Sequence, residues 1–121
     1  MLHMLGKPYR LGADGTDPDG AVDCINLVYM TLAELGIEAP TFQKSWYTAS
    51  KIRIIRDLLH WGRRIDEVEY DGDVLLLPQA QATFAVTWNR GCLYINQHSK
   101  VVAWCPIGSL PTNHCFRSRN G

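Results

Sequence analysis

Apolar positions recur with two different periods along this chain, and the change of period divides it into two halves. From Ile25 onward they fall at Ile25, Val28, Tyr29, Leu32 and Leu35, the spacing of one helical face, with Glu34 off the stripe. Gly36 follows where a C′ glycine ends a helix. A second stripe, Ile52, Ile55, Leu58 and Leu59, starts after Ser50, a good N-cap, and closes at Trp61-Gly62. Past Asp71-Gly72 the period shortens and predicts strands over 74–77, 84–88, 92–96 and 101–105. Turn residues, among them Asn89-Arg90-Gly91 and 97–99, separate the last three. Helices followed by strands, segregated in this way, define an α+β class rather than alternating βαβ units.

The remaining stretches carry less pattern. Residues 11–20, LGADGTDPDG, are too dense in Gly, Asp and Pro for anything but turns, and 37–47 reads as irregular. Lys51, Arg53, Arg56, Arg63 and Arg64 decorate the second helical segment as a solvated face. The closing residues 108–121 have little periodicity and are expected to fray or to serve as an arm that docks on a neighbouring protein.

Length and composition narrow the classes. At 121 residues the chain forms one domain over 1–121, and 46% hydrophobic content lets it bury a core without a metal or disulfide framework. Twelve basic residues balance twelve acidic ones, so no net field draws it to nucleic acid. No apolar run approaches the ~20 residues that span a bilayer. Cys24, Cys92, Cys105 and Cys115 show no C-x-x-C pair, which argues against a zinc ribbon or a thioredoxin-type motif. The opening MLHMLGKPYR lacks the charged and apolar regions of a secretion signal, so the thiols are expected to be free.

Cys24 is the residue with the strongest chemical suggestion. It falls in the first turn of the first helix, after Asp19 and Asp23, either of which can cap the free N–H groups there. A helix N-terminus lowers a thiol's pKa toward neutrality and so makes a nucleophile. A small, buried, inert cysteine is the alternative reading of the same residue.

The segments GKPYRLG at 6–12, the Gly/Asp loop, Asp23-Cys24, the helix ending in Leu35-Gly36-Ile37, and Asp71-Gly72-Asp73-Val74-Leu75-Leu76 before a meander occur in an order that resembles the NlpC family of papain-like cysteine peptidases. The resemblance runs through residues 5 to 107. It implies a papain-like fold, cleavage of peptide bonds in bacterial peptidoglycan, and Cys24 as nucleophile with the Tyr9 hydroxyl near it. It further implies that Asn96 orients a catalytic imidazole carried at the start of the second strand. That position holds Thr83 or Phe84, neither of them a base, and the familiar DCSG start reads Asp23-Cys24-Ile25-Asn26. His98, two residues beyond Asn96, is then the nearest candidate base; His3, His60 and His114 lie further away in sequence.

Two functions follow from the resemblance. One is a cysteine hydrolase of peptidoglycan; the other is an inactive binding or structural module on the same fold, such as a bacteriophage tail component, partnered by a peptidoglycan peptide or a protein of a larger assembly. The expected location is the cytoplasm or a phage particle. No cofactor is expected: Asp14, Asp17 and Asp19 suggest a calcium loop, but no bidentate Glu follows and Asx turns account for them. Most of the aromatic residues are expected in the core, with Trp88 and Trp104 as candidates to flank the cleft.

Overall fold

A computed structural model describes residues 2–40, 46, 50–78, 83–110 and 114–119. Helix α1 spans Cys24–Glu34 and helix α2 spans Lys51–Trp61. Six strands follow, β1 Gly62–Ile65, β2 Val74–Leu76, β3 Phe84–Trp88, β4 Gly91–Ile95, β5 Val102–Pro106 and β6 His114–Ser118. They form one antiparallel sheet in the order β1-β6-β2-β3-β4-β5. The molecule is thus α+β, with two helices on a six-stranded sheet.

Local chemistry accounts for the ends of α1. Asp23 is extended and its Oδ1 accepts from the Asn26 N–H at 2.7 Å, while its Oδ2 accepts from the Gly12 N–H at 2.9 Å. One carboxylate therefore caps the helix and anchors the preceding loop. At the other end Gly36 adopts φ +73°, and the Ile37 N–H reaches the Leu32 carbonyl at 2.9 Å, the six-residue closure of a Schellman motif.

The second helix differs from its sequence pattern. Ser50 caps it and the Gly62 N–H closes it on the Leu58 carbonyl; of the expected stripe Leu58 is buried and Ile55 packs against the core, but Ile54 joins them inside while Ile52 is 81% and Leu59 38% exposed. The rotation is set by tryptophans. Trp46 donates to Asp57 at 2.9 Å and Trp61 to the Glu38 carbonyl at 2.6 Å, which pins the Ile54/Leu58 side inward.

Helix α1 lies on β3 and β4, and α2 on β1 and β6. The main core between helices and sheet contains Ile25, Leu32, Ile54, Leu76, Phe84 and Phe116. Alternate strand residues, among them Leu75, Ala85, Cys92 and Cys115, point to the other face and form a smaller cluster with Val68. Asn89 and Arg90, both at positive φ, make the two-residue turn between β3 and β4, a geometry that matches the twist of antiparallel strands.

Two strands lie where none was expected. Gly62–Ile65 pairs with β6 along the sheet edge, where Arg63 and Arg64 project, and a Cβ at Gly62 would strike the Arg117 carbonyl. The docking arm predicted over 108–121 is corrected for 114–118, which form an internal strand between β1 and β2. Its arginine is the reason this is possible. Arg117 makes two bonds of 2.8 Å to the buried Asp73 carboxylate and stacks on the Tyr70 ring at 4.6 Å, so the charge enters the sheet already paired. Asp73 also accepts from the Glu69 and Tyr70 N–H groups, at 2.8 and 3.0 Å.

Candidate active site at the head of the first helix

Three segments converge on Cys24. Residues 6–9 run beside β5, with the Gly6 N–H on the Val102 carbonyl at 2.9 Å and the Tyr9 N–H on the Lys100 carbonyl at 2.8 Å. Tyr9 also bridges to Val22, just before the helix, which brings its side chain into the electrostatic field of Cys24 and Asp23. The Tyr9 phenol is raised above its ordinary pKa, by burial first and then by those two groups. The third segment is the start of β3, whose Phe84 N–H donates to the Cys24 sulfur.

The thiol is not activated in the sense expected from its position. Burial pushes the Cys24 pKa up to about 11, and the Asp23 carboxylate adds to the rise. The N–H groups of Phe84, Cys24 and Ile25 pull the other way without offsetting burial. An imidazolium beside the sulfur has the opposite effect, holding the thiolate near or below neutrality. The sulfur is half-buried and packed against the main core, so at neutral pH it is a neutral thiol.

The remaining expected site residues are placed as follows. Phe84 fills the position where the resemblance implies an imidazole, and its ring turns inward to Trp46 with 5.7 Å between centroids. Thr83 continues the ladder, its carbonyl accepting from the Leu77 N–H at 2.9 Å. Asn96 uses its Oδ1 to accept from the N–H groups of His98 and Ser99, at 2.9 and 3.1 Å, so it shapes the β4–β5 turn. His98 sits exposed on that turn. His3 meets Glu34 at 2.7 Å, and His60 is exposed on α2.

His114 is the histidine that sequence reasoning placed in the tail. In the sheet it is opposite Leu76, and Leu76 is opposite Phe84, so it shares a rung with the residue that meets Cys24. Two strand spacings put its backbone about 10 Å from that of Phe84. The alternation of His114, Phe116 and Ser118 was the available signal.

Two further expectations are resolved. Trp88 stands at the end of β3 away from Phe84, and Trp104 donates to its carbonyl at 3.0 Å, so this pair closes the far end of the sheet rather than the Cys24 side. In the Asp-rich loop, Asp14 accepts from the Thr16 N–H at 3.1 Å and Asp19 from the Ala21 N–H at 3.0 Å, both Asx turns, while Arg10 pairs with Asp17 and Asp19. Among the described residues no group of His, Cys, Asp and Glu side chains is arranged to hold a metal ion, and no helix is long and apolar enough to cross a membrane. Neither protein-family models nor curated protein sequences yield a match to this chain.

Proposed function

We propose that this chain is an NlpC-like, papain-like domain that works as a non-hydrolytic binding or structural module, recognising a peptidoglycan peptide or a protein of a larger assembly such as a bacteriophage tail. The carrying observation is Phe84 at the start of β3 beside Cys24, where a cysteine hydrolase needs an imidazole, with burial pushing the thiol's pKa up to about 11. The order of Tyr9, the capped Cys24 and the Asp73 strand supports the family reading. The exposed side of Tyr9 offers a ligand a phenol hydroxyl and a ring face.

A cysteine hydrolase is the second reading, favoured by the rung that His114 shares with Phe84. Purified peptidoglycan separates the two. The module predicts that wild type and Cys24→Ala pellet equally with the polymer, or with neither form releasing soluble peptides. Release that depends on Cys24 would establish the hydrolase, and its loss in His114→Ala would identify the base.

A further inference from the structure

We propose that Cys92 and Cys105 form a reversible intrachain disulfide, a modification site on the sheet face turned away from the helices. The two residues are direct partners across β4 and β5, and direct partners share a face. Two backbone bonds fix the kind of pair. The Asn96 N–H reaches the Val101 carbonyl at 3.0 Å and the Ile107 N–H the Arg90 carbonyl at 3.4 Å; bonded and non-bonded pairs alternate, so Cys92 and Cys105 fall on a bonded rung. Cα atoms on such a rung are about 5.5 Å apart, within the commonest range for a disulfide.

Access and selectivity follow from the same arrangement. Cys105 is partly exposed on the edge strand, and Cys92 is buried beside it next to a groove walled by Val68, Leu75, Ile107 and Leu110. Cys115 borders that groove as well, but it lies opposite Leu75 on β6, with β2 and β3 between its strand and β4. Cys24 lies on the helix side of the sheet, packed against the other core.

The oxidant is a small-molecule disulfide of the glutathione class. The Cys105 thiolate attacks one of its sulfurs and expels one glutathione thiolate, leaving a mixed disulfide. Cys92, deprotonated, then attacks the Cys105 sulfur and expels the second. Two protein thiols become one S–S bond, two electrons pass to the oxidant, and both thiol protons end on released glutathione. On a bonded rung facing Cβ atoms sit at the far end of the range of about 4.5–5.5 Å, against about 3.5–4.5 Å in a disulfide, so closure draws the hairpin together and the strained link is readily reduced again. Such a pair distinguishes a reducing compartment from an oxidising one.

The test is to treat the full chain with oxidised glutathione, block residual thiols with N-ethylmaleimide in urea, digest without reduction and map the links by mass spectrometry. The expected result is the loss of two hydrogens, one linked pair containing Cys92 and Cys105, alkylated Cys24 and Cys115, and a melting temperature raised by about 5 °C that dithiothreitol reverses. Cys115→Ser should leave the link intact. Four alkylated thiols, glutathione retained on Cys105, a link through Cys115 or Cys24, or loss of the link in Cys115→Ser would each overturn the assignment.

Discussion

The backbone N–H of Phe84 donates to the sulfur of Cys24, joining the first residue of β3 to the first residue of α1. The bond ties the thiol to an amide, whose pull toward the thiolate does not offset burial, and the ring of the same residue is committed to the core beside Trp46. The position that faces the thiol is therefore structural in its side chain and electrostatic only in its backbone.

Replacing that side chain should change the thiol. Phe84→His puts an imidazole on the strand residue that contacts the sulfur, and should lower the Cys24 pKa by a unit or more. Iodoacetamide labelling of Cys24 at pH 7.5 should then be at least ~10-fold faster than in wild type. The exchange removes a buried ring and should destabilise by about 2–4 kcal/mol, so labelling is compared below the unfolding transition of both proteins. An unchanged pH profile of labelling in the folded variant would show that the Phe84 side chain does not face the thiol.

The thiols also predict a pH dependence of stability. Cys24 and Cys92 are both raised to about 11 by burial, and burial raises Tyr29 as well. A group whose folded pKa is raised stabilises the fold fully below its unfolded value, here about 8.5 for a thiol, and loses that contribution as pH climbs through the folded value. Each thiol contributes on the order of 3 kcal/mol by this route. Urea midpoints should be flat from pH 7 to 8.5 and fall between pH 9 and 11. Cys24→Ala and Cys92→Ala should each make that fall shallower; slopes parallel to wild type would refute the assignment.

The parts legible from sequence were those decided within a few residues. The first helix was readable because its stripe, its Asp23 cap and its Gly36 terminus all act locally, and the β3–β4 hairpin because Asn89-Arg90 set its own turn. Strand β6 was not, since a five-residue segment with Arg117 as its fourth residue reads as solvated until Asp73, 44 positions earlier, is brought against it. The side of α2 that faces inward depends on bonds from Trp46 and Trp61 to distant oxygens, again nonlocal. At the site, the position of Cys24 at a helix start was visible. Its burial, which reverses the effect of the helix terminus on its pKa, belongs to the packing of α1 on β3.

The Asp73–Arg117 pair should be strongly coupled. Asp73 is 1% exposed, and Arg117→Ala leaves its carboxylate buried with two backbone donors but no cation. Removing one partner of a buried pair costs about 3–5 kcal/mol. Arg117→Lys should recover little, because one ammonium cannot reproduce two parallel bonds and a stacked guanidinium. Urea denaturation of Arg117→Ala, Asp73→Asn and the double variant gives the coupling directly. Additive losses would mean that the two residues act independently, against the geometry.

Gly91 should tolerate no side chain while Trp104 keeps its place. A Cβ built there runs into the Trp104 indole and the Cys105 carbonyl, so the ring covers the glycine where β4 meets β5. In Gly91→Ala the indole must lift and give up its bond to the Trp88 carbonyl, and the cost should be about 1–3 kcal/mol. Trp104→Ala alone removes the same bond and some packing. Placing Gly91→Ala on that background should cost less than placing it on wild type, because the movable obstacle has gone, yet more than nothing, because the Cys105 carbonyl remains. A four-variant denaturation cycle measures both parts: equal costs on the two backgrounds would mean that the backbone contact alone sets the penalty and that the ring does not rest on Gly91.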